Sequence, residues 1–138
     1  MSIDANLALA HRAVRAFHDG DVPALLELVT EDLELFHPMT QAVWPWAGYQ
    51  HGKTGFLRFL SGMGAVAEFE RFEATRYLAS GDEVVVFLAE RLRIRATGRV
   101  VDHEYIHRAT LRDGRIARLA IYEDTAPIIA AVRDLEAI

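Results

Sequence analysis

The stretch VVDHEYIHRATLRDGRI, from Val100 to Ile116, places His103, Tyr105 and His107 at every second position. Successive side chains of a strand point to opposite faces, so in a strand these three look the same way. Two imidazoles and a phenol on one face are the parts of an acid/base site. An imidazole ionises near pH 6.5, within reach of neutrality in both directions, and a phenol donates a hydrogen bond to an oxygen that gains charge. A further histidine, His37, ends the short run LELFH. Two histidines across one cavity could pass a proton between carbons of a carbonyl compound, with Tyr105 donating to the enolate oxygen. The alternative is a structural or solvated set on a polar outer face, or at a subunit interface. The intervening residues Asp102, Glu104, Ile106, Arg108 and Thr110 are the more polar set, and Ala109 and Leu111 continue the histidine side as apolar, which favours that side as the inner one.

Three histidines also invite zinc, for which imidazole is a common ligand. His103 and His107, however, lie about 13 Å apart along a strand, too far for one ion, and no H-E-x-x-H motif is present. No metal site is expected. No G-x-G-x-x-G follows a strand and there is no P-loop, so no cofactor is expected either. The chain has no cysteine, which excludes disulfides, thiolate metal sites and a cysteine nucleophile. A net charge of −5 argues against a nucleic-acid partner. No segment approaches the ~20 apolar residues of a membrane span, and the start lacks the basic and apolar runs of a signal peptide. A cytoplasmic protein without a membrane partner is the expectation.

The elements that must position these residues are legible from periodicity. Ile3, Leu7, Ala10, Val14 and Phe17 make a helical stripe that stops at Gly20. Asp21 caps a short second helix with Pro23 in its first turn, and a strand from Leu33 to His37 follows. Pro38 to Gly52 reads as a loop rich in aromatic residues: Trp44, Trp46 and Tyr49. Phe56, Leu57, Phe59, Leu60 and Met63 suggest a third helix, weakened by Gly55, Gly62 and Gly64. Strand-like runs at 67–79, 84–96, 100–111 and 115–123 form a meander, with Asp113-Gly114 as its strongest hairpin signal. Ile128, Val132 and Leu135 mark a closing helix, capped by Asp124 or Thr125. The 138 residues form one α+β domain in which a curved antiparallel sheet wraps the N-terminal helices. The space enclosed is a cone with an apolar end and an open mouth, suited to a small ligand.

The order of elements, and the motifs HDGDVPALLELVTED, WPWAGYQHGKTGFLRFL, LASGDEVVVF, ATGR and LRDGRIARLAIYEDTAP, resemble the nuclear transport factor 2-like superfamily. Within it the chain is most similar to the SnoaL-like and ketosteroid-isomerase-like proteins. The resemblance implies the cone fold, a homodimer, and a small hydrophobic or ring-containing ligand. It also implies isomerase or cyclase-type chemistry on a carbonyl compound, or a non-catalytic ligand-binding or assembly module of the same fold. In the ketosteroid isomerase register His37 replaces the carboxylate base and His107 the protonated acid of a late strand. The oxyanion-donating tyrosine of the first helix falls near Ala13 and is missing. In the limonene epoxide hydrolase register Arg91 matches the arginine, while Arg93 and Ile121 replace the two aspartates. The same register puts His103, Tyr105 and Glu123 at positions resembling ligand-lining ones.

The run 84–96 has two faces. Apolarity buries Val84, Val86, Leu88, Glu90, Leu92 and Ile94, whereas the family register turns Arg91 and Arg93 inward. An inward Arg91 would receive a carboxylate-bearing ligand or pair with Glu123 or Glu90. Trp44, Trp46 and Tyr49 could form a lid that stacks on a ring-bearing substrate, or simply anchor the loop. The candidate catalytic residues are therefore His37, His103, Tyr105 and His107. The candidate substrate-binding residues are Trp44, Trp46, Tyr49, Arg91 and Glu123.

Overall fold

The computed structural model describes residues 2–134. Helix α1 (Ile3–His18) starts where the Ser2 hydroxyl accepts from the Ala5 N–H, and it turns Asn6, Leu9 and Ala10 inward. Ile3, the first member of the expected stripe, is exposed. Helix α2 (Val22–Glu27) begins at Asp21, whose carboxylate accepts from the Ala24 N–H at 3.1 Å. Strand β1 (Val29–His37) then alternates Leu33, Leu35 and His37 toward the interior. His37 thus sits at the end of an apolar stripe that carries it inside; each of the two leucines contributes about 1.5–3 kcal/mol by its burial.

Within the expected loop lies a short strand, β2 (Gly48–His51), paired antiparallel with β1. Helix α3 (Gly52–Val66) runs unbroken through its glycines. Gly62 is there for space: a Cβ on it would stand 2.1 Å from the Pro45 carbonyl oxygen. The meander is β3 (Ala67–Ser80), β4 (Glu83–Ile94), β5 (Val100–Arg112) and β6 (Arg115–Tyr122). Asp113 and Gly114 both take positive φ, the demand of a tight hairpin turn. Register shifts in β3 between Phe69 and Arg71 and between Ala74 and Arg76 bend the edge of the sheet.

The sheet order is β2-β1-β6-β5-β4-β3, curved and unclosed. The expected antiparallel sheet is mixed, because β1 and β6 pair in parallel. Helix α4 (Ala126–Val132) closes the fold; Asp124, one of the two expected caps, accepts from the Ala126 N–H, whereas Thr125 makes no side-chain cap bond. Ile128 is buried, and Leu135 lies outside the described residues. No helix among the described residues is long and apolar enough to cross a membrane.

The core has two parts. One joins Leu9, Leu25, Leu33, Leu35, Phe56 and Phe59 with the inner side chains of β4 and β5. The other gathers Met39, Val43, Trp44, Leu92, Ile94 and Ile128 around the 38–47 turn.

Candidate functional site

Between these two core parts lies a cavity walled by His37, Trp44, Phe59, Glu90, Tyr105, His107, Ile121, Glu123 and Ile128, among others. Period two delivers the polar residues. On β5 the inner face reads Val101, His103, Tyr105, His107, Ala109, Leu111, and on β4 it reads Val84, Val86, Leu88, Glu90, Leu92, Ile94. Glu90 stands directly opposite His103, Leu88 opposite Tyr105 and Val86 opposite His107. The parallel pairing sets Leu35 beside Leu119 and Phe36 beside Ala120, so the next residues of β1 and β6 run on together and bring His37 to Glu123.

The His37 Nε2 and Glu123 Oε1 are 2.6 Å apart, with both side chains about 95% buried. The other ring nitrogen of His37, Nδ1, is buried and has no partner among the described residues. Trp44 and Phe59 meet the imidazole edge-on at centroid distances of 5.6 and 5.3 Å. A second couple, His103 Nε2 with Glu90 Oε1, is also buried, and it leaves His103 Nδ1 without a partner among the described residues. Tyr105 stacks on His103 at 5.2 Å and meets His107 edge-on at 5.3 Å.

Burial sets the proton affinities, and neighbouring charges correct them. Burial raises the Glu90 carboxyl, an effect that the His103 bond partly offsets. Burial pulls His103 down, but the Glu90 hydrogen bond and charge outweigh it, so His103 holds its proton more firmly than a free histidine. Burial, reinforced by Glu90, holds the Tyr105 phenol well above its ordinary value, so it stays a donor. His107 is lowered to about 4 by burial and by repulsion from His37, and is neutral near pH 7. His107 lines the cavity.

The polar cavity has a volume of about 30 Å³, room for about two waters. Behind it is an apolar chamber of about 70 Å³ lined by Ala13, Val14, Leu25, Val86 and Ala109, among others. Phe17, Phe59 and His107 border both spaces and separate them. A ring-sized ligand therefore needs these side chains to give way.

Of the residues expected at the site, His37, Tyr105, His107, Trp44 and Glu123 line this cavity, and His103 backs it through Glu90. Three others do not join it. Arg91 is on the outer face, where it binds Asp102 through two bonds of 2.8 and 3.0 Å. The apolar alternation of β4 takes the interior, and period two then forces Arg91 out. Trp46 is 44% exposed with the Arg58 guanidinium over its ring, and Tyr49, 81% exposed, leans on Phe36. Glu90 was not among the expected site residues. Its signal was there, as the single charge in an otherwise apolar face of the 84–94 run. Glu90, His103 and Glu123 also bring one donor atom each to within 4.8 Å of one another, the one grouping among the described residues with the density of a metal centre.

The wider comparisons agree with the fold. A solved nuclear transport factor 2-like protein of unknown function from Burkholderia pseudomallei superposes with a TM-score of 0.86 at 24% identity, covering 96% of this chain and 98% of that one. The structure of TerC, co-crystallised with polyporic acid, superposes with a TM-score of 0.84 at 24% identity, covering 94% and 98%. Both likenesses are of fold. In sequence, the uncharacterized protein Rv0034 of Mycobacterium tuberculosis is 31% identical over 127 residues, 91% of this chain and 95% of its own length. The SnoaL-like domain matches residues 10–119, from the middle of α1 to the last strand, and the chain belongs to that family.

Proposed function

We propose that the chain binds a small, ring-containing carbonyl compound between His37, Trp44, Tyr105 and Glu123 and moves a proton at the carbon beside its carbonyl. One observation carries this reading: a buried imidazole whose Nε2 is engaged by a buried carboxylate and whose Nδ1 is left without a partner. When Glu123 accepts from Nε2–H, it fixes the tautomer that leaves a lone pair on Nδ1. The proton taken from carbon makes an imidazolium, which the adjoining carboxylate stabilises. Tyr105, kept protonated, donates to the enolate oxygen, and the Glu90–His103 couple holds the phenol in place. Return of the proton to another carbon completes an isomerisation. His107, neutral near pH 7, serves as a wall and hydrogen-bonding group rather than as an acid. The co-crystallisation of TerC with polyporic acid is a precedent for a small organic ligand on this fold.

The test is exchange of α-protons for deuterium in a panel of small cyclic ketones, followed by NMR. The wild-type chain accelerates exchange over buffer, and His37→Gln loses that acceleration by about 10²–10⁴-fold while still shifting the ligand signals. Equal exchange by His37→Gln and wild type rejects His37 as the base. A second reading, a holder without turnover, is favoured by Ala13 standing where the resemblance puts a tyrosine. It predicts ligand shifts without exchange in either protein. The homodimer belongs to the same proposal: Val85, Phe87 and Ile106 are half-buried on the outer face of β4 and β5, where a second copy would cover them. Sedimentation of wild type as a dimer and of Phe87→Asp as a monomer is expected; a wild-type monomer rejects it.

A further inference from the structure

We propose that Glu90, His103 and Glu123 form a site for one divalent transition-metal ion of the zinc and cobalt class, a second use of the carboxylate that pairs with His37. The three side chains come from adjoining elements: Glu90 and His103 are direct partners across β4 and β5, and Glu123 follows β6. Their side chains are 4%, 8% and 4% exposed, so two carboxylates share a place with almost no water. Such a pair is costly unless positive charge joins it. The two imidazoles nearby each meet one carboxylate, and the Tyr105 phenol also interacts with Glu90, yet His103 Nδ1 remains buried without a partner among the described residues. A dication between the carboxylates cancels both charges at once.

The donor set suits such an ion. Two carboxylate oxygens and an imidazole nitrogen are ligands shared by zinc and its neighbours in the first row, while magnesium and calcium favour all-oxygen sets. The three donors now lie within 4.8 Å of one another. Bonds of about 2.0–2.1 Å in a tetrahedral centre set donors about 3.3 Å apart, so the carboxylates must draw in while Glu90 and His103 part to admit the ion. Glutamate side chains allow both movements by rotation. Three protein ligands leave a fourth position open, and the cavity adjoins Glu90 and Glu123. An outer bond is already in place: His37 meets Glu123 at 2.6 Å, the kind of contact that orients a ligating carboxylate.

The experiment titrates CoCl₂ into chain that carries no histidine tag and has been stripped with chelator, and reads visible d–d absorption. One Co²⁺ per chain is expected, displaced by Zn²⁺. Glu90→Gln and His103→Asn weaken binding by at least about tenfold, while Glu68→Gln, on the surface with Arg95, leaves it unchanged. Absence of the band, or equal binding by Glu90→Gln and wild type, overturns the proposal. Should either variant fail to fold, Mn²⁺ added to the wild-type chain decides by NMR. Broadening of the His103 ring signals supports the site, and broadening confined to the exposed His11, His18 and His51 overturns it. The titration needs no ketone and the deuterium exchange needs no metal, so each proposal fails on its own experiment.

Discussion

Replacing His107 by leucine should remove most of the acid sensitivity that this residue gives the fold. The ring is hemmed in by Val86 and Ile121 on the adjoining strands, by Tyr105 and by His37, and it makes no hydrogen bond to the described residues. Its pKa falls from 6.5 to about 4. Above pH 6.5 the ring is neutral in both folded and unfolded chains and adds no pH slope. Between 6.5 and about 4 the unfolded chain takes a proton that the folded chain refuses, so stability falls as the pH falls. At 1.36 kcal/mol per pH unit, the fall from 6.5 to about 4 is worth about 3 kcal/mol once the pH is below both values. By about pH 5 roughly 2 kcal/mol of it has been lost. His103 works in the opposite sense, since its raised value stabilises the fold below 6.5 and that stability is lost as the pH rises through the folded value. The two proteins share that effect, and it cancels in their difference. Urea unfolding of wild type and His107→Leu at about pH 7 and about pH 5 reads the difference directly. The variant should gain about 2 kcal/mol relative to wild type on going to the lower pH. A difference that stays flat to within about 0.5 kcal/mol refutes the reasoning.

Other perturbations follow from the same geometry. Glu123→Gln keeps an oxygen beside His37 but removes the charge and the tautomer it selects, so α-proton exchange should fall nearly as far as in His37→Gln, toward the ~10⁴-fold seen when such a carboxylate is lost from a triad; exchange within tenfold of wild type speaks against the dyad. Gly62→Ala gains helix propensity but drives a methyl into the Pro45 carbonyl. A net loss of about 1–2 kcal/mol in thermal or urea unfolding is expected, with altered Trp44 fluorescence, and unchanged stability counts against the close approach. Arg91→Ala breaks only an exposed pair with Asp102, so the urea midpoint should barely move and ligand affinity not at all; a large loss of affinity would return Arg91 to the site.

Much of the fold could be read in the sequence because its interior strands keep to period two over most of their length, although Ala89, beside Glu90 and on the opposite side of the alternation, is buried as well. The alternation around His103, Tyr105 and His107 survived intact, and the helix start at Asp21 and the hairpin at Asp113-Gly114 rest on local chemistry that tertiary packing did not override. Local signals could not show that β1 lies parallel to β6, since strand direction is decided by which apolar face is left to cover. For that reason the union of His37 with Glu123 is not legible in the sequence, although each residue stands out there on its own. Strand β2 is four residues long and lies among turn-forming residues, too short to show a period. Arg91 and Glu90 were a choice between apolarity and family register, and apolarity decided it. The aromatic loop split: Trp44 turned in to His37, while Trp46, at positive φ, and Tyr49 turned out.

The parallel contact between β1 and β6 also governs when the site can come into being. His37 and Glu123 are 86 positions apart along the chain, whereas the hairpins of the meander join near neighbours. Closing the longer loop carries the greater entropy cost, so the hairpins have the means to form first and the β1–β6 seam last. On the ribosome the imidazole waits, unmatched, through the synthesis of the whole meander before its carboxylate emerges. The buried pair is therefore a mark of finished folding: a chain halted before Glu123 can hold most of its hairpins and still lack the chemistry.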